Sequence, residues 1–470
     1  MNIRKPYLEL SIPLLGILVG GVCLATPPVV APSDDSSNQA NDASGHAPGF
    51  IEGVAKSSYL LGDMGGLRPW LSEYGVSLNI SETSEGLGNI TGGSKHGFDY
   101  DGLTQMVLQV DTQRAFGVHG GTFDISGLQL HGRNLSADYL DTLQTASGIE
   151  SDRSTRLWEL WYQQKFLDED RLDIKIGQQS LDQEFMVSQN ALVFANTMFG
   201  WPMVPSADLP GGGPAYPLSA PGVRFRARPT DAITVLLGAF NGSPTSNPNG
   251  DPQQNNPSGT TFPLDGGLLA IAEVQYAYPS LGSMVYADDS SQLSGTYRLG
   301  VWYDTESFSD ERFGDQSHHG DIGIYAVVDQ MLWHSEEDPD HALSVFARAM
   351  GTPQTDRNLI DFSLNVGMTL HDPIPHRDDD TLGIGLGYAH VSGGASAADR
   401  DTQAVTGYYP IRSDETFIEV TYQYQLFLWC QIQPDFQYVF NPGAGVLNPN
   451  LPSQRVKDEA VLGARLNILF

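Results

Sequence analysis

Strict alternation without a long apolar run most limits what this chain can fold into. The C-terminal stretch 459–470 reads EAVLGARLNILF. Ala460, Leu462, Ala464, Leu466, Ile468 and Phe470 share one face of a strand, while Gly463, Arg465 and Asn467 share the other. The same period of two recurs upstream. Thr104, Met106, Leu108 and Val110 oppose Gln105, Gln109 and Asp111. Phe362, Leu364, Val366, Met368 and Leu370 oppose Asp361, Ser363, Asn365 and Thr369. Ile418, Val420, Tyr422 and Tyr424 oppose Glu419, Thr421 and Gln423. After residue 25, no apolar stretch approaches the roughly 18 residues of a spanning helix. Strands of this kind either pack as a soluble sandwich with the apolar side inward or close into a barrel whose apolar side meets lipid.

The N-terminus favours lipid. Arg4 and Lys5 precede an apolar run from about Ser11 to Leu24, and Cys23 and Ala25 suit a secretory cleavage site. Val22 before Cys23 departs from a lipoprotein signal. Residues 1–25 are therefore expected to be a signal peptide. Residues 26–55, rich in Pro, Ser, Asp, Asn and Ala, are expected to be a disordered leader. Residues 56–470 are left for the barrel. Without the signal, Cys430 is the single cysteine, so neither an internal disulfide nor a cysteine metal site can form. The 19 Tyr, 20 Phe and 7 Trp suit the aromatic girdles of a membrane barrel. A net charge of −31 argues against nucleic acid as a partner.

Sixteen strands are predicted, at 76–83, 103–113, 121–131, 156–167, 171–179, 221–228, 232–240, 267–278, 295–304, 321–333, 342–350, 359–370, 380–390, 414–425, 428–440 and 458–470. Every second connection is mostly long: 84–102, 132–155, 180–220, 241–266, 305–320, 351–358, 391–413 and 441–457. Those between are mostly short, as at 168–170 and 229–231, with 279–294 the exception. Such a rhythm places one rim outside the cell and the other in the periplasm. Leu67 to Tyr74, behind Gly65 and Gly66, predicts a short helix. The expected fold is all-β, a transmembrane antiparallel β-barrel of about sixteen strands in the lipid of a Gram-negative outer membrane.

Four segments carry a family resemblance: LLGDMGGLRPWLSEYGVSL at 60–78, LWELWYQQKF at 157–166 with LDIKIGQQSLDQEF at 172–185, EVTYQYQLFLWCQIQPDFQYVFNPG at 419–443, and the strand ending in Phe470. Together they resemble the carbohydrate-selective porins of the OprB type. The resemblance implies a sixteen-stranded barrel admitting glucose and other carbohydrates by passive diffusion, with no cofactor. Cys430 departs from the expected strand residue, and its parity places it toward lipid. A homotrimer and a monomer are both compatible with the sequence.

A neutral sugar needs donors, acceptors and an aromatic face, whereas a lumen of one charge sign favours ions. Strand parity turns Glu159, Trp161, Gln163 and Lys165 inward and Trp158 outward. It also turns Arg224, Arg226 and Arg228 inward, with Arg298, Trp302, Arg348, Glu419, Gln433 and Arg465. The longest connection, 180–220, carries Val193, Phe194, Met198, Phe199 and Trp201, which a solvated loop has no use for. It is expected to fold into the barrel and narrow it, bringing Asp182, Glu184 and Asp208 opposite Arg224 and Arg226. Glu159, Trp161, Asp208, Arg224, Arg226 and Arg298 are the candidate sugar-binding residues. The Arg cluster also supports a general or anion-preferring porin as the alternative. No HExxH, GxSxG or Walker motif points to an enzyme. His318 and His319 are expected in a solvated loop.

Overall fold

The computed structural model describes residues 57–247, 250–279, 293–338 and 340–470. The predicted signal peptide and the whole of the predicted leader lie outside them, as does most of the 279–294 connection.

Sixteen strands close an antiparallel barrel. The first half runs β1 (Val76–Gly93), β2 (Gly97–Asp111), β3 (Gly121–Gly132), β4 (Ser154–Phe166), β5 (Leu172–Gln179), β6 (Ala220–Ala227), β7 (Ile233–Asn241) and β8 (Leu268–Tyr278). The second half runs β9 (Gly295–Ser309), β10 (Ser317–His334), β11 (Ala342–Gly351), β12 (Ile360–His371), β13 (Thr381–Val391), β14 (Asp414–Phe427) and β15 (Cys430–Phe440). A small hairpin, β16 (Leu447–Asn448) and β17 (Leu451–Arg455), decorates the last outer loop before β18 (Lys457–Leu469) closes the barrel on β1. Ser81 faces Leu469 at that seam, which continues to Asn89 opposite Val461. Closure leaves no barrel strand with an unpaired edge. Along β10 and β13 inward residues are buried, while outward Ile324 and Ile384 remain exposed, as lipid contact requires.

Two expectations about strand length change. Most of the predicted 84–102 connection is strand, and β1 turns into β2 through residues 94–96 alone. Its Gly, Ser and Asn content reads as loop, but Gly88 sits directly opposite Phe98. A Cβ on Gly88 would lie 2.2 Å from the Phe98 ring, so the glycine lets that ring cross the strand. Likewise, His318 and His319 belong to β10, paired with Phe308 and Ser307 of β9.

The N-terminal segment locks the periplasmic rim. Its helix, Leu67–Glu73, begins behind Gly66 at φ 90°, a left-handed position that favours glycine. Arg68 donates to the backbone oxygens of Leu78 (2.9 Å) and Phe470. Leu60 N donates to Leu469 O at 2.8 Å. The chain end is thereby tied to the segment that precedes the first strand.

Candidate functional site

The connection between β5 and β6 turns into the bore. Phe185, Met186, Phe194, Met198, Phe199 and Trp201 are each at most 3 % exposed. They form one apolar cluster with wall residues Leu236, Phe240, Ile271, Trp302, Tyr325, Phe346 and Phe417. Phe194 and Phe199 stack at 4.3 Å, and Phe199 meets Phe346 and Phe417 edge-on at 5.7 and 5.4 Å. Their seat is the inner face of β13, where Gly383, Gly385 and Gly387 alternate. A Cβ on Gly385 would lie 2.5 Å from Phe199 and 2.9 Å from Phe194.

The wall also holds the loop's backbone. Glu273 accepts from Met186 N (2.9 Å), and Glu419 accepts from Ala195 N (2.6 Å) and Asn196 N (3.0 Å). Asp329 accepts from Asn190 N at 3.2 Å and Ser188 Oγ at 2.6 Å. Arg348 donates to the Met186 and Gly200 carbonyls, both at 2.9 Å, and to that of Met198. Gln433 donates to Val193 O at 2.8 Å and Arg465 to Ala195 O at 3.3 Å. The first long loop docks similarly, its Leu143 and Gln144 amides donating to Glu415 at 2.8 and 2.7 Å. These inward polar groups satisfy buried backbone rather than face the pore.

With much of the β10–β15 wall covered by this loop, a cavity of about 480 Å³ opens beside β4, β6, β7, β8 and β9. Its lining includes Lys165, Arg226, Arg228, Gln275 and Arg298 from the wall, with Gln183, Glu184 and Gln189 from the loop. Most of these cations have an acidic partner. Lys165 pairs with Asp170 at 3.3 Å, Arg226 with Asp173 at 2.6 Å and Arg298 with Asp329 at 2.7 Å. Arg228 donates instead to the carbonyls of Glu169 (2.6 Å) and Asp170 (3.1 Å). Behind them Arg224, 1 % exposed, binds Asp173, Glu184 (2.6 Å) and Gln163 (3.2 Å), while Lys175 binds Glu184.

The candidate residues thus separate. Arg226 and Arg298 line the cavity. Arg224 stands behind it, facing Glu184 across the junction of wall and loop. Trp161 lies under Lys175, whose Nζ is 4.6 Å from the ring, and donates to Glu159 at 3.3 Å. Glu159 is itself buried and accepts from Ser180 N at 2.9 Å, at the root of the loop.

Three expectations are corrected. Asp208 does not face Arg224 or Arg226. Its carboxylate accepts from Leu359 N (2.9 Å) and Ile360 N (3.2 Å), which tie the far end of the loop to β12. Asp182 is turned toward Ser180 (2.5 Å) and Tyr216 N (3.0 Å). Trp158 points inward, 2 % exposed, with its ring 6.1 Å from Tyr216. Ile125 pairs with Leu160 but Gly127 with Leu157, so a β-bulge at 158–159 turns both Trp158 and Glu159 to the inside. The seat of the loop was not anticipated. Its signal was the glycine at every second position of TLGIGLGYAHV.

A family model described as "Carbohydrate-selective porin, OprB family" matches residues 95–470. The chain belongs to the OprB family. It is therefore a carbohydrate-selective, β-barrel porin of the outer membrane. Porin B of Pseudomonas aeruginosa is 25 % identical over 452 residues, covering 88 % of this chain and 92 % of its own. The putative porin QuiX of Acinetobacter baylyi is 22 % identical over 442 residues, covering 88 % and 93 %. The high-pH structure of Pseudomonas putida OprB superposes with a TM-score of 0.75 at 22 % identity, over 88 % of this OprB-family porin and 99 % of that chain. The low-pH structure of the same protein gives 0.55 at 18 % identity over the same shares.

Proposed function

We propose that this porin selects neutral sugars in the path between the third outer loop and strands β4–β9, with Arg226, Arg298 and Gln275 as the first contacts. The observation that carries this reading is charge pairing. Arg226, Arg298 and Lys165 each sit against an acid, so the path offers many donors and acceptors without one dominant sign. Hydroxyls donate and accept, and they exchange bonds with such a surface at little cost. Trp161, Glu159 and Arg224 act one step behind, as supports of the wall. Transport is diffusion through water with no chemical step, and one chain encloses the whole path. Residues 1–25 serve as the export signal.

Liposome swelling tests the proposal. Glucose should enter faster than a charged solute of similar size, and Arg226→Gln should slow glucose entry while leaving the barrel folded. The adjacent Arg226 and Arg228 of β6 favour a second reading, an anion-preferring pore. Reversal potentials in a salt gradient separate the two. Strong anion selectivity, with no preference for glucose over gluconate, would refute sugar selection.

A further inference from the structure

The outward row of β12 is apolar from end to end: Phe362, Leu364, Val366, Met368 and Leu370. The outward face of β1 to β3 is not. Thr83, Glu85 and Leu87 are buried on the inside, so Glu82, Ser84 and Gly86 turn to the lipid side. β2 places Thr104 beside Glu82 and Gly102 beside Ser84, and β3 places His131 beside Gly102. One polar network joins these outward side chains. Ser84 Oγ donates to Glu82 Oε1 at 3.1 Å, and Thr104 Oγ1 donates to Glu82 Oε2. The Tyr100 hydroxyl lies 3.0 Å from Ser84 Oγ and 3.2 Å from His131 Nε2. That imidazole nitrogen is itself 3.5 Å from Glu82 Oε1.

Apolar residues bracket the network along the wall. Leu78 and Ile80 precede Glu82 on the periplasmic side, where Met106 also stands below Thr104. Phe98, 65 % exposed, and Ile90 lie toward the outer rim. The network therefore sits within the belt that lipid tails cover, where headgroups do not reach. Hydrocarbon offers no partner to a carboxylate, an imidazole or a phenol, and charge on the lipid face destabilises a barrel. The face is also flat. A side chain at Gly86 would stand in open space. The Phe98 and His131 rings lie against Gly88 and Gly102, at 2.2 and 2.0 Å from where a Cβ would be. Small residues let membrane-embedded backbones approach closely, and polar side chains then bond across the contact.

We propose that this face binds a second copy of this chain. Self-complementarity identifies the partner. The face carries an acid, Glu82, on β1 and a matching imidazole, His131, on β3, with β2 between them. A twofold axis along the membrane normal, passing near β2, sets β1 of each copy against β3 of the other. Glu82 then meets His131 of the partner subunit as well as its own, and both polar networks leave the lipid together. Each pore stays whole, because the contact lies outside the barrel and the sugar path inside it.

Cross-linking of the purified porin in phosphatidylcholine vesicles tests this. Met106→Cys and Met368→Cys, each in a Cys430→Ser background, place one similarly exposed thiol on the outward face of β2 or of β12. A short bismaleimide should give a cross-linked dimer from the first and none from the second. Adding Glu82→Leu and His131→Leu to the first should abolish the dimer while single-channel conductance stays unchanged. Should that variant fold poorly, the two cysteine variants still decide. Equal yields from β2 and β12, monomer from both, or a dimer that survives the loss of Glu82 and His131 would overturn the interface.

Discussion

A Gly385→Val porin is expected to pass more current per channel than the parent and to discriminate less between sugars and ions. Gly385 faces inward on β13, and any Cβ there collides with Phe199 and Phe194. Both rings lie in the apolar cluster that seats the third loop. Overpacking a dense core costs about 1–3 kcal/mol. The strand itself accepts valine readily, since β-branched residues suit a pleated wall. The strain therefore falls on the loop, which leaves its glycine seat and widens the path. Gly351→Val is the control. A Cβ there meets nothing closer than 3.5 Å, so conductance should not change. Planar-bilayer recordings and liposome swelling on the two variants measure the effect. A folded Gly385→Val porin with parental conductance and parental sugar preference would sever the loop from selectivity.

The strands and the inserted loop were legible in the sequence for different reasons. Each strand has one face in lipid, so alternation survives along its length, as in Phe362 to Leu370. The loop announced itself through apolar residues such as Phe194 and Trp201, which water would not tolerate together. What escaped the sequence depends on partners far along the chain. The bulge at Trp158 is one extra residue, enough to reverse the face of everything before it. Asp208 is an acid in a loop until the backbone amides of Leu359 and Ile360 reach it across the barrel. Arg348, Glu419 and Arg465 read as lumen residues because their strand parity is inward. Only the loop's carbonyls and amides distinguish a wall that binds protein from a wall that binds solute.

Replacing Arg224 with Met is expected to cost about 3–5 kcal/mol of folding stability, the usual result of removing one member of a buried ionic group. Arg224 bridges Asp173, which is 1 % exposed, and Glu184. Arg226 and Lys175 remain as partners for the two acids, but each then bonds its acid from one side only. Arg224→Lys should recover only part of the loss, because an ammonium cannot present the planar fork that reaches Asp173, Glu184 and Gln163 together. Arg226→Gln should cost much less, because the Arg226 side chain is 37 % exposed and is held by a single acid. Denaturant unfolding in lipid vesicles ranks the three variants. The pore gives an independent readout. Without the Arg224 charge, the group around Asp173 and Glu184 is more negative by one charge beside the path, and the reversal potential should move toward cation preference. Equal stabilities for Arg224→Met and Arg226→Gln, with an unmoved reversal potential, would mean that the buried network neither holds the loop's root nor balances the charge that sugars meet.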